Sequence, residues 1–262
     1  MTIINVVTTP PAAEPIYLDD AKLYLRVDHT DDDTLIAALI VAARQYAEDV
    51  TARAIVCQTR KLYLDNWPYV IVLPGPPLIE KTSVQYYDVE GSLQTLDPSL
   101  YDVDTDSTPG RITVGYCDTW PAVYGIEKAI IVTYVCGYAT PFTADLTTDK
   151  LTWSGRAPAD GSVVRVTNSG GALPGGLSAG TDYYVITSVG QTCELSLTLA
   201  GVKIDITSAG TGQQFIGEVP AAILSAIRAR LGMFYNNREG QYDAKVNVAI
   251  EMLLWPYRMV DF

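Results

Sequence analysis

Histidine occurs once in these 262 residues, at His29, so any Ser-His-Asp or Cys-His device would have to be built on that single imidazole. It sits in an acidic loop with no GxSxG elbow anywhere in the chain, and the expectation is a solvent-exposed side chain in a protein that is not an enzyme. Cysteine is nearly as sparse. Cys57, Cys117, Cys136 and Cys193 stand far apart without CxxC spacing, which excludes a zinc-finger or disulfide framework and predicts buried free thiols. No apolar run reaches the roughly 18 residues of a membrane span. The first residues, Met1 to Pro15, lack the basic-then-apolar pattern of a secretory signal, so an origin in the cytoplasm and no membrane partner are expected.

Basic residues are also in short supply, 18 against 30 acids, for a net charge of −12. The shortage is local: residues 1 to 50 hold Lys22, Arg26 and Arg44 against nine acids. Tight binding to a nucleic-acid backbone needs clustered Lys and Arg, and this end repels polyanions instead. Arg228, Arg230 and Arg238, near the other end, are expected in salt bridges to the acidic helices or to a neighbouring subunit. Asp31, Asp32 and Asp33 lack the alternating ligands and central glycine of a calcium loop, and Gly170 to Gly176 precede no Gly-Lys-Ser/Thr. No metal and no cofactor is expected.

What the chain does have is helical periodicity at both ends. Leu18 to Leu25 predicts a short helix, with Asp19 and Asp20 at its positive end. A longer one follows from the pattern Leu35, Ile36, Leu39, Ile40, Ala43, Tyr46, Ala47 and Val50, with Thr30 and Asp33 as a capping box and Ala37, Ala38 and Ala42 permitting close packing. Pro220 opens a third helix with Ile223, Ala226, Ile227, Leu231, Phe234 and Tyr235 on one face, and a fourth runs from Ala244 to Trp255 before Pro256. Between these ends the period is two. Leu62 and Leu64, Val70 to Leu73, a hairpin of Ser83 to Asp88 with Leu93 to Leu96, Tyr101 to Val103, Arg111 to Val114 and Ala129 to Tyr134 read as strands.

Residues 141 to 217 change texture again, to Thr, Ser and Gly, with strands at Val163 to Thr167, Tyr183 to Thr187, Glu194 to Leu199 and Lys203 to Ile206. The fold class is α+β: a helical core of N- and C-terminal helices with a small antiparallel β region, plus an inserted all-β domain of sandwich or small-barrel type. The expected divisions are 1–16 as an extended arm that orders against a partner, 17–140 with 219–262 as the core, and 141–218 as the insertion.

Several motifs occur in a telling order. They are Leu18-Asp19-Asp20-Ala21-Lys22-Leu23-Tyr24-Leu25-Arg26-Val27, Asp31-Asp32-Asp33-Thr34-Leu35-Ile36, Ala42-Ala43-Arg44 with Glu48-Asp49-Val50-Thr51, and Gln58-Thr59. Leu73-Pro74 with Pro76-Pro77-Leu78, Tyr101-Asp102-Val103-Asp104, Pro109-Gly110-Arg111-Ile112, Val219-Pro220 and Leu254-Trp255-Pro256-Tyr257-Arg258 follow. This order resembles the head-tail connector, or adaptor, family of tailed bacteriophages, over residues 17 to 140 and 219 to 262. The resemblance implies a structural virion protein of the neck between capsid and tail, made in the host cytoplasm. It implies a ring, commonly of twelve copies, that sits below the portal protein, continues the channel for double-stranded DNA without specific binding, and docks a tail-proximal neck or stopper protein. It assigns Trp255, Tyr257, Arg258 and Phe262 to the portal contact, although Trp255 serves equally well to close the helical core. Asp31, Asp32 and Asp33 become candidates for an acidic channel or subunit-interface surface.

Two competing readings stand beside it. One is a virion carbohydrate-binding or attachment protein whose Trp153, Tyr183 and Tyr184 stack on sugars; the other is a hydrolase working through a carboxylate pair.

Overall fold

The computed structural model describes residues 3–11, 13–153, 157–169, 171–217, 219–237 and 244–259. The chain folds as two compact units, Met1–Pro11 with Cys57–Gly137, and Ala12–Val56 with Tyr138–Phe262.

Among its described residues the first unit is built of strands, with one short 3₁₀ turn at Pro98–Leu100. Its strands are β1 (Ile3–Thr9), β2 (Gln58–Leu64), β3 (Val70–Val72), β4 (Leu78–Tyr87), β5 (Leu93–Thr95), β6 (Tyr101–Asp104), β7 (Arg111–Val114) and β8 (Ile130–Cys136). They form a five-stranded antiparallel sheet in the order β1-β2-β8-β4-β5 and a three-stranded one in the order β3-β7-β6. Period-two sequence produces the buried face of the larger sheet, where Ile130, Val132, Tyr134 and Cys136 alternate on β8 with less buried neighbours. Tyr134 is fully enclosed, and its hydroxyl donates to the Pro74 carbonyl at 2.7 Å with Asn5 Oδ1 3.2 Å away. Within the N-terminal segment Ile3 to Thr9 pairs along β2 of the same chain, which satisfies its backbone groups in a ladder. At Gly75 a φ of +78° strains any side chain, and the Arg60 guanidinium, 2.5 Å from where a Cβ would stand, would have to move aside as well.

One end of this unit is braced by two Trp-Pro dipeptides. Trp67 and Trp120 stack with centroids 4.6 Å apart and planes 7° from parallel. Each indole N–H donates to the carbonyl of the other's proline, Trp67 to Pro121 at 2.9 Å and Trp120 to Pro68 at 3.0 Å.

Among its described residues the second unit holds four helices, α1 (Leu18–Leu25), α2 (Asp33–Thr51), α3 (Ala221–Asn236) and α4 (Ala244–Leu254), and seven strands. Helices from both ends of the chain share one core: Ile36, Ile40, Ala43 and Ala47 of α2 meet Ile223, Ala226, Ile227 and Leu231 of α3 and Ile250 and Leu254 of α4. The predicted capping box is absent. The helix begins at Asp33 with Asp32 in the cap position and no side-chain cap bond, since Asp33 is drawn instead to Lys22 of α1 at 2.6 Å. Likewise Pro220 caps α3 from outside, and the helix starts one residue later at Ala221.

The strands of this unit are β9 (Thr140–Ala144), β10 (Leu151–Trp153), β11 (Val163–Val164), β12 (Val166–Ser169), β13 (Tyr183–Val189), β14 (Thr192–Ser196) and β15 (Gln213–Ile216). Their order is β11-β13-β14-β10-β9-β15-β12. The two outermost strands are successive pieces of one segment broken only at Arg165, so the sheet wraps around as a small barrel. It encloses its own core of Phe142, Leu151, Trp153, Val166, Tyr183, Val185, Leu195 and Ile216. Lys203 to Ile206 is not a strand; a single bridge, Ser196 to Lys203, is what remains of that expectation. First and last strands are neighbours, with Thr140 opposite Ile216, so the chain leaves the barrel where it came in.

Candidate docking site

The residues expected to reach a partner lie at the end of α4. Ile250 and Leu254 point into the helical core, and a second stripe, Val248, Met252 and Trp255 at i, i+4 and i+7, faces out. Trp255 is 68 % exposed, so it does not close the core; Leu254 beside it does. After Leu254 the chain makes a 3₁₀ turn, Trp255–Tyr257. Two bonds pin this turn to the end of α2: Arg53 Nε donates to the Tyr257 carbonyl at 2.5 Å, and the Met259 N–H donates to the Thr51 carbonyl at 2.9 Å. The Arg258 guanidinium lies 5.7 Å from the centre of the Trp255 ring, at the outer reach of a cation–π contact. Trp255, Tyr257 and Arg258 are thus held together on an anchored turn. Phe262 lies outside the described residues, as do Arg238 and Gly170.

The three aspartates separate. Asp31 is exposed, Asp33 pairs with Lys22, and Asp32 accepts from the Tyr235 hydroxyl at 2.5 Å. Two of the three therefore tie α2 to α1 and α3, and only Asp31 presents itself wholly to solvent, next to Asp28 and His29.

Sequence reasoning missed a buried ion cluster. Arg44 lies within α2 at 5 % exposure, its Nε 2.6 Å from Glu14 and its Nη1 2.6 Å from Glu48, while the other Glu48 oxygen accepts the Ile55 N–H at 2.9 Å. Burial alone would lower the guanidinium pKa, but hydrogen bonds to and the charges of the two carboxylates outweigh it and hold it above its ordinary value. The i,i+4 spacing of Arg44 and Glu48 was the available signal, and it is equally the signature of an exposed pair. Arg230 links three helices. Its guanidinium is 3.9 Å from the Tyr46 ring centre and 4.5 Å from that of Phe234, and it donates to Asn247 Oδ1 at 2.8 Å, joining α2, α3 and α4.

The proposed sugar platform does not exist as such. Trp153 and Tyr183 are 4 % and 2 % exposed inside the barrel core, where apolar burial outweighs display, and the Tyr183 hydroxyl accepts the Ser178 N–H. Among the cysteines, Cys57, Cys136 and Cys193 are buried as expected; Cys117 is exposed, in a loop. Among the described residues no group of three His, Cys, Asp or Glu side chains is set to hold a metal ion, and no helix is long and apolar enough to cross a membrane.

These features define an α+β protein whose terminal helices build one core, with a small barrel spliced between them and an exposed aromatic turn at the end of the last helix. Residues 15–73, which carry α1, α2, β2 and β3, match the family described as phage gp6-like head-tail connector protein. No curated protein matches the chain. Among solved structures it is similar to chains in the neck of an empty GTA particle computed with C6 symmetry (13 % identity, TM-score 0.59) and in the virion of a native gene transfer agent (GTA) particle (13 %, 0.58). A third is in the neck of a native GTA particle computed with C12 symmetry (14 %, 0.56). Each likeness covers all of this chain and 97 % of the other. The resemblance to head-tail connectors is therefore carried by the sequence of residues 15–73, while the whole chain shares its fold with chains of these GTA particles.

Proposed function

We propose that this chain is a structural protein of the neck of a tailed phage-like particle, a head-tail connector that works without a catalytic step. It assembles as a ring, of twelve copies in the family pattern, below the portal, continues the DNA channel and docks the tail. The observation that carries this reading is that the connector match falls on α1 and α2, the helices whose apolar faces α3 and α4 cover. Rings follow from head-to-tail contacts whose rotation closes, and the C6 and C12 symmetry named for the similar neck particles accords with that. A lumen lined by subunits of charge −12 lets DNA slide instead of binding.

Trp255, Tyr257 and Arg258, together with Phe262, form the portal contact in this reading, and Asp31 belongs to an acidic channel or inter-subunit surface. Residues 141–218 are in this reading an insertion between the helices, and the side-by-side entry and exit of the barrel, Thr140 opposite Ile216, supports it.

Electron microscopy of the purified chain mixed with its portal tests the whole. A ring seated on the portal is expected, and a monomer that leaves portals bare overturns the reading. Truncation after Leu254 is expected to leave a folded protein that no longer co-sediments with portal rings; unchanged co-sedimentation removes the C-terminal turn from the contact.

A further inference from the structure

At one end of the first unit the strand registers bring three loops together. Leu64 and Tyr86 both pair with Ile130, and Val70 and Tyr101 pair with Thr113 and Val114, so residues 65–69, 88–92 and 115–129 cluster there. This end shows large apolar side chains to solvent: Tyr69 at 88 % and Tyr116 at 96 %, with Tyr124, Ile126 and Val89 also exposed on the same loops. Burial would ordinarily be gained by turning such residues inward, and single exposed ones need no explanation, but a cluster on neighbouring loops marks a surface meant to be covered. The loops are also stiff. The reciprocal Trp67–Pro121 and Trp120–Pro68 hydrogen bonds and the stacked indoles lock two of them together, and Asp88 closes the third by accepting the Glu90 and Ser92 N–H groups and the Gln94 amide. Rigid tyrosines on braced loops contribute contact area at small entropic cost.

Charge selects the occupant. These loops carry Asp65, Asp88, Glu90, Asp118 and Glu127 against the lone Lys128, whose ammonium is 5.8 Å from the Tyr63 ring centre. DNA is repelled by such a surface, and a second copy of this chain, itself at −12, offers no matching excess of bases. We infer that the tyrosine-bearing loop end of the first unit, centred on Tyr69 and Tyr116, docks a different protein through a basic surface with apolar sockets. The inference rests on the neck reading, since it places the partner in the assembled particle.

The test replaces Tyr116 by a photo-crosslinking residue (Tyr116→p-benzoylphenylalanine) in the full chain, builds particles with it, illuminates them and sequences the crosslinked peptide. The expected product joins this chain to a different protein, within a segment of net positive charge, and the double substitution Asp118→Lys with Glu127→Lys reduces its yield at least several-fold. Crosslinks to another copy of this chain, to DNA, or to a neutral or acidic segment overturn the inference, as does an absence of product from particles that contain the chain. Particles that form without incorporating the chain at all sink the neck reading and the inference with it. Tyr69→p-benzoylphenylalanine repeats the measurement from the neighbouring loop, so a misfolded first variant does not decide it.

Discussion

The helical core and the barrel of the second unit are built in opposite ways. The helical core gathers residues as distant in sequence as Ile16 and Leu254, and it holds Arg44 and Glu48, the only buried charges among the described residues. Barrel residues come from one continuous stretch, though its closing pairs, such as Thr140 with Ile216, join the two ends of that stretch, and among the described residues they bury no charge. The first arrangement needs both ends of the chain before either is stable; the second is complete within one stretch of it.

The largest effect should come from removing one end. Truncation after Gly217 deletes Ile223, Ile227, Leu231, Ile250 and Leu254 from the core. At about 1.5–3 kcal/mol for each buried aliphatic side chain, the loss is roughly 7–15 kcal/mol, as large as the whole stability of an ordinary domain. Circular dichroism of the truncated chain is expected to show α1 and α2 melted while the strand signal persists. A cooperative helical transition in that variant would break the contrast between the two cores.

Next comes the buried charge. Arg44→Met leaves the carboxylates of Glu14 and Glu48 without their cation, and breaking a buried pair in this way costs about 3–5 kcal/mol. Adding Glu14→Gln and Glu48→Gln should restore most of that in urea titrations, because the amide still accepts the Ile55 N–H. In the barrel, Leu195→Ala is expected to cost about 2–5 kcal/mol with no second substitution that rescues it, since what is lost is packing. Failure of the triple variant to recover would mean that the cluster acts through geometry and not through charge balance.

These variants also mark how far the sequence could be read. The faces of α1, α2 and α3 were legible because a 3.6-residue period over several turns has no other cheap explanation. Arg44 and Glu48 were illegible in role, since the same spacing serves solvent or core and only Glu14, thirty residues away, decides. Trp255 was ambiguous because α4 is apolar on nearly every side, so periodicity does not say which residue turns inward. The Trp67 and Trp120 brace is a contact between two loops, and no local pattern announces it.

The smallest expected effect is the most discriminating, because it asks whether the two cores are separate at all. On β15 successive side chains point to opposite faces: Phe215 packs in the helical core and Ile216 in the barrel core. Phe215 therefore makes the barrel more than a passenger, and deleting 141–217 takes a buried ring out of the helices, about 3–5 kcal/mol if the gap does not close. Cys193 provides the reporter. It is buried in the barrel, and burial, with smaller contributions from Asp160 and Glu194, pushes its thiol up to about 12, so at pH 8 roughly one part in ten thousand is thiolate. Exposed Cys117 should react with a maleimide at once, and Cys193 only when the barrel opens. If β15 couples the cores, Arg44→Met speeds modification of Cys193 several-fold although no barrel residue has changed. An unaltered rate would make them independent, with Phe215 only a plug at their border.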